Sequence, residues 1–272
     1  MNGSGIDISR QGVSFLEAAT PVPVAAGRSE LLTSEHWAQG RTQFGGLVAA
    51  AMTNAMAQEC DDGLHLRTLS VAFAAPITAG TALIDATLDR TGSSTAFASA
   101  VVSQEGAHKA RAHAIFVRNR DSAITVEPTL PTMDVDLAQA QEFPFIEGVV
   151  PTFLKNFQLR LGVGSFPFSG AAHGTIGGYA RHNPPIAGTS AILGLLDAWP
   201  PAILPMATGP AAGSTVSWTA HILSELPSDA DAWYTFRYDT IASDDGYATF
   251  VGTLACEGRV IAWSEQLAAV FA

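Results

Sequence analysis

Cysteine is nearly absent from this chain: Cys60 and Cys256 are its only 2 cysteines in 272 residues. They lie far apart and fit no zinc-type spacing or disulfide framework, so a reduced, cytoplasmic setting is expected. Basic residues are also scarce, with 14 Lys and Arg against 25 Asp and Glu and a net charge of -11. Nonspecific nucleic-acid binding needs a basic surface, so that class is excluded, although a few local cations could still hold a small anionic ligand. Long apolar runs are missing as well. The best, Leu47 to Ala57, is short and broken by Thr53 and Asn54, so no membrane span is expected. Met1 to Ser14 is polar and glycine-rich, without the basic and apolar segments of a secretory leader.

Several catalytic motifs are absent too. There is no P-loop and no G-x-G-x-x-G after a strand. Gly162-Val-Gly-Ser-Phe166 lacks the second glycine of a nucleophile elbow. The 7 histidines show no H-E-x-x-H or other metal-type pairing, so no metal site is expected. His113 and His221 fall in extended stretches and His182 in a turn before Asn-Pro; each reads as a structural residue.

What the chain does have is apolar mass. Hydrophobic residues make up 47% and charged residues 14%, which calls for a sizeable core and argues against disorder. Residues 1–30 read as a lead-in. Phe44-Gly45-Gly46 then opens an Ala-rich helix running to Ala57. Extended segments follow at Leu66–Ala74, Thr81–Leu88, Thr95–Ser103 and Ala107–Val117, separated by glycine, proline and serine turns. One helix followed by antiparallel strands is an α+β pattern, not alternating βαβ. Pro128, Pro131, Pro144, Pro151 and Pro167 then interrupt any long element. The expected organisation is a unit at 1–120, a connector at 121–170 and a second unit at 171–272.

The second unit repeats the first. Gly188 precedes a helix as Gly45-Gly46 does, and segments Thr215–Leu223, Ala232–Thr240, Tyr247–Ala255 and Arg259–Val270 follow it. Glu257-Gly258 matches Glu105-Gly106 at an offset of 258 − 106 = 152 residues. Asn54 is nine past Gly45, as Asp197 is nine past Gly188. Two fused copies of one domain explain this, and the period is far too long for a solenoid.

The helix after Gly188 is apolar on nearly every side and should be buried. Thr189 or Ser190 is expected to cap it, and Pro200-Pro201 to end it. Its single charge is Asp197, which is costly in an apolar setting without partners. Gln266 lies in a largely apolar last strand, where a buried amide must find partners. Hydroxyls at Ser214, Thr215 and Ser217 open the strand after the helix. A carboxylate, a hydroxyl and a carboxamide together can hold and direct a water molecule, with the carboxylate accepting its proton. Taken as residues alone, the simpler account is structural: two sheet residues bonded to backbone and an acid at a helix end.

Phe44-Gly-Gly46 at a helix start, Leu69-Ser-Val-Ala-Phe-Ala-Ala-Pro76, Gly178-Tyr-Ala-Arg181, the helix ending at Asp197 and the strand Ala262–Val270 together resemble the acyl-CoA thioesterase II family. The likeness runs through nearly the whole chain, in order. It implies a double hotdog, in which each half wraps an antiparallel sheet around a central helix. It also implies hydrolysis of acyl-CoA to free acid and CoA in fatty acid metabolism, with no metal or organic cofactor. The resemblance carries the catalytic roles to Asp197, Thr215 and Gln266, with Ser214 or Ser217 as substitutes for Thr215. Where the family often has Asp-His just after its threonine, this chain has Ser217-Trp218. Asp197, with an ordinary carboxyl pKa of about 3.9, would be ionised at neutral pH. Phe44, Gly45 and Gly46 are the expected substrate-binding residues, through backbone N–H groups near an oxyanion. Arg41 or Arg181 would meet the CoA phosphates, and a homodimer is expected. The competing readings are a hotdog enoyl-thioester hydratase, which needs an acid–base histidine that neither helix supplies, and a non-catalytic acyl-thioester-binding protein.

Overall fold

The computed structural model describes residues 13–271. The polar lead-in read from Met1 to Ser14 therefore falls outside the described residues, apart from its last two. In chain order the elements are helix α1 (Phe15–Ala18), strands β1 (Val22–Ala25), β2 (Arg28–Thr33), β3 (Ala38–Gln39) and β4 (Thr42–Gln43), and helix α2 (Gly45–Gln58). Strands β5 (His65–Phe73), β6 (Gly80–Thr91), β7 (Thr95–Gln104) and β8 (Ala107–Val117) follow. Next come β9 (Gln141–Glu142), β10 (Phe157–Gly164), β11 (Thr175–His182) and helix α3 (Thr189–Asp197). The chain closes with β12 (Ala212–Ile222), β13 (Tyr234–Asp244), β14 (Tyr247–Cys256) and β15 (Arg259–Phe271).

All strands but β3 and β4 join one antiparallel sheet of 13 strands, in the order β1-β2-β6-β7-β8-β5-β12-β15-β14-β13-β11-β10-β9. The order β2-β6-β7-β8-β5 in the first half has the same form as β11-β13-β14-β15-β12 in the second. The halves meet where β5 pairs with β12, from Thr68 opposite His221 to Ala72 opposite Ser217. The offset of 152 residues recurs in the strands: β7 and β14 begin at Thr95 and Tyr247, β8 and β15 at Ala107 and Arg259. The hairpin turns match as well. Glu105-Gly106 has φ of 53° and 77°, Glu257-Gly258 49° and 73°. Both central residues are left-handed, the geometry that fits a two-residue turn to twisted strands.

Long strands such as β7 and β8 alternate because one face meets the helices and the other does not. In β8, for instance, Ala110, Ala112, Ala114 and Phe116 are buried. Against that inner face lie α2 and α3. Both are buried almost all round, as their uniform apolar composition requires. Gly45 lies beside Asp197, and Gly46 beside the Leu193 carbonyl. Asn54 meets Ser190, so the two helices run antiparallel. A Cβ on Gly46 would come within 3.0 Å of that carbonyl, so glycine there permits the close crossing.

Four expectations need correction. Neither Thr189 nor Ser190 caps α3. Gly188, at φ 96°, takes the cap position, and no side chain bonds there. Ser190 lies past the cap position, inside α3, and instead donates its hydroxyl to Asn54 Oδ1 on α2 at 3.2 Å. Residues before 30 are more than a lead-in, since β1 and β2 extend the sheet. The prolines of the middle stretch leave room for β10, where Phe157 and Leu159 are buried and Gln158 and Arg160 are partly exposed. His182 ends β11 rather than sitting in the turn, with its Nε2 donating to the Ala191 carbonyl at 2.9 Å. Its burial pushes the pKa down to about 4.

Candidate active site

Asp197 is the last residue of α3, where that helix's own dipole is negative. The antiparallel crossing brings it to the opposite pole of α2. The Gly46 N–H donates to its carboxylate from the first turn of that helix, where backbone N–H groups have no intrahelical acceptor. From β15, Gln266 Nε2 donates to Asp197 Oδ1 at 2.9 Å. Asp197 keeps part of its surface open, yet the surrounding protein displaces enough water to push its pKa up to about 6, while the two donors hold it back from rising further. That differs from the ordinary value expected above, and it brings the group closer to neutrality.

Gln266 is buried, and both its amide nitrogen and its amide oxygen are hydrogen-bonded. A carboxylate only accepts, so the amide nitrogen must face Asp197 and the amide oxygen must face away. That oxygen accepts from the Tyr238 hydroxyl at 2.8 Å and from the Thr215 hydroxyl at 3.4 Å.

Thr215 reaches this position through a bulge. Thr215 pairs with Ala268 and Ser217 with Leu267, leaving Val216 as an extra residue in β12. Trp218, opposite Gln266, and Thr215, opposite Ala268, therefore share the inner face although they are three residues apart. Without the bulge, Thr215 would point to the other side of the sheet. Ser217 is exposed, whereas Ser214 lies at the site's rim.

Asp197 and Thr215 open onto a cavity of about 440 Å³, lined also by Arg41, Gly45, Val48, Phe73, Ile77 and Phe271. Gln266 stands behind them. Gly45 lines the cavity close to Asp197, where an added Cβ would come within 2.8 Å of Asp197 Oδ2. Gly46 sits beside it with its N–H already given to Asp197. The Phe44 ring is fully buried, stacked on Phe153 with centroids 4.0 Å apart, and of the three residues expected to bind substrate only Gly45 lines the cavity. Arg41 is exposed at the cavity wall. Arg181 is elsewhere, paired with Asp231 at 2.6 Å and lying over Trp233.

The first half has a counterpart position without the chemistry. Asn54 stands at the start of α3 as Asp197 stands at the start of α2, but it is a neutral amide that donates to the Ala19 carbonyl at 2.8 Å. The 152-residue offset puts Ala114 at the place of Gln266.

Sequence reasoning missed Tyr238. It lies in β13 among Tyr234 and Phe236 and reads as core. The signal available was the phenol itself: a buried tyrosine needs a partner for its hydroxyl.

Residues 33–117 match the family described as acyl-CoA thioesterase N-terminal domain, and residues 130–270 match acyl-CoA thioesterase C-terminal domain. A hot dog fold protein of unknown function from Alicyclobacillus acidocaldarius superposes with a TM-score of 0.84 at 22% identity, covering 95% of this chain and 98% of that one. The tesB protein of Mycobacterium avium subsp. paratuberculosis gives 0.78 at 12% identity over 94% and 97% of the two chains. Acyl-CoA thioesterase II TesB2 of Mycobacterium marinum gives 0.73 at 14% over 94% and 98%. A search of curated protein sequences gives no match. At these identities the likeness to solved structures shows a hot dog type of fold.

Proposed function

The chain belongs to the acyl-CoA thioesterase family and is a thioester hydrolase acting on acyl-CoA, and from that premise we propose that Asp197, Thr215 and Gln266 carry the reaction. Asp197 acts as general base. It takes a proton from a water that the Thr215 hydroxyl helps to orient, and that water attacks the thioester carbonyl. Gln266, with one N–H on the carboxylate and its oxygen on Thr215, keeps the two in register. The negative charge developing on the carbonyl oxygen meets the start of α2, where the Gly45 N–H in the Phe44-Gly45-Gly46 turn is the proposed donor. The tetrahedral intermediate then expels CoA as thiolate and leaves the free acid. A base with its pKa pushed up to about 6 suits this work, since it is ionised at neutral pH and binds a proton better than an ordinary aspartate.

The observation that carries this reading is the single hydrogen-bonded chain from Asp197 through Gln266 to Thr215, with both ends on the cavity wall. Thiol release from a panel of acyl- and aryl-CoA substrates tests it, with medium chains expected to be turned over. Asp197→Asn should lower turnover on the order of a hundredfold or more. Unchanged thiol release in that variant would remove Asp197 from the mechanism.

The equivalent strand orders of the two halves support a double hotdog, with units at 1–120 and 171–272 around a 121–170 segment whose β10 adds to the second unit's sheet. We further assign the chain to the cytoplasm, supported by its free cysteines Cys60 and Cys256, and to fatty acid metabolism. A homodimer is the proposed assembly. Sedimentation giving only monomer at micromolar concentration would count against it. Among the described residues, no helix is long and apolar enough to cross a membrane.

A further inference from the structure

Resting on the proposed roles of Asp197 and Gln266, we infer that Tyr238 is a positioning residue: its buried hydroxyl locks the Gln266 amide in the one orientation that offers an N–H to the catalytic carboxylate. Three observations carry this. Tyr238 is 2% exposed, so its hydroxyl has no bulk water to turn to. Its bond to Gln266 Oε1, at 2.8 Å, is shorter than the 3.4 Å bond from Thr215 to the same oxygen. On its far side, Gln266 meets Asp197, a group that can only accept. An amide between a donor and an acceptor has one satisfied orientation; between a weak donor and an acceptor it can rotate away.

The strand register makes the contact possible. Tyr238 on β13 stands opposite Gly252 on β14, and Gly252 stands opposite Ser264 on β15. Gln266 is thus two strands away and two residues along. The Tyr238 ring crosses that gap beside Phe250, with centroids 5.3 Å apart. Phe250 is itself the β14 residue paired with Gln266. Burial and the nearby Asp197 charge raise the phenol's pKa well above its usual value, so it remains a donor at every pH the enzyme meets.

Tyr238 does not line the cavity, so it acts on turnover through Gln266. The groups facing Asp197 are the Gly46 N–H from α2, Gln266 from β15 and Tyr238 from β13, and among the described residues Arg41 is the only other formal charge on the cavity wall. Loosening Gln266 removes one of the two donors that favour the ionised carboxylate.

The test is Tyr238→Phe in the full chain, which keeps the ring and removes the hydroxyl. The expected result is a fall in kcat of about tenfold with KM nearly unchanged, the scale of one lost hydrogen bond. The acidic limb of the pH–kcat profile should also move to higher pH. Repeating the change in a Gln266→Ala background gives a second measure: there the Tyr238→Phe effect should vanish. A Tyr238→Phe enzyme with wild-type kcat and pH profile would overturn the inference, even with a lower Tm. So would an equal effect with and without Gln266. If Asp197→Asn and Gln266→Ala themselves keep full activity, the underlying catalytic reading fails along with it, which distinguishes the two failures.

Discussion

Replacing Asp197 by Asn separates what this residue does for turnover from what it costs the fold. The folded-state pKa is pushed up to about 6, against 3.8 for the ordinary group. The folded protein therefore holds the neutral carboxyl more favourably than the charged one. Stability is fullest below about pH 4 and is lost as pH rises through about 6. A shift of about 2 pKa units corresponds to about 3 kcal/mol at pH 8, an upper figure because solvent reaches the cavity. Asparagine does not titrate. The Asp197→Asn chain should thus gain on wild type by up to about 3 kcal/mol between pH 4 and pH 8, with the change concentrated between pH 4 and 6. Any cost of turning an amide N–H toward the Gly46 N–H is independent of pH and drops out of the comparison. Thermal melts at closely spaced pH values measure it; about 3 kcal/mol is roughly 5–10 °C for a chain of this size. The same preparation should show the loss of thiol release. A stability difference that stays flat from pH 4 to 8 would refute the claim that lost hydration raises the pKa of Asp197.

Three further outcomes follow from the geometry. kcat/KM of the wild-type enzyme should fall tenfold per pH unit below about pH 6, where Asp197 takes up a proton; an acidic limb near pH 4 would mean an unperturbed carboxyl. Gly45→Ala should cut turnover at least tenfold while leaving the fold intact by circular dichroism, since its Cβ would stand 2.8 Å from Asp197 Oδ2 and push the carboxylate aside. Arg41→Glu should raise KM severalfold for acyl-CoA but not for the matching acyl-pantetheine, which lacks the nucleotide phosphates, and the gap should shrink in high salt; equal KM changes would remove Arg41 from phosphate binding.

Much of this was legible before any coordinates. Apolar alternation and the recurring Glu-Gly turns located the eight long strands that follow the two helices, because a half-buried strand must alternate and a left-handed turn selects its residues. The strands toward the two ends of the sheet, β1 and β2 at one end and β9, β10 and β11 at the other, were harder to read. They are short, or lie near prolines and glycines, and local sequence does not say which neighbour will pair with them. Asp197 stood out because a lone charge on an apolar helix needs an explanation, and Gln266 because a buried amide does.

The amino-acid sequence alone determined the duplicated pattern, the apolar helices and the residue types available for chemistry, since these depend on local periodicity and composition. Only the tertiary structure decided how they meet. The antiparallel crossing of α2 and α3 delivered the Gly46 N–H to Asp197, a contact between residues far apart in the chain. A bulge at Val216 reversed the face on which simple alternation would have put Thr215. Strand register carried Tyr238 across β14 to Gln266. Pairing between distant segments sets register and crossing geometry, and no stretch of sequence encodes them by itself.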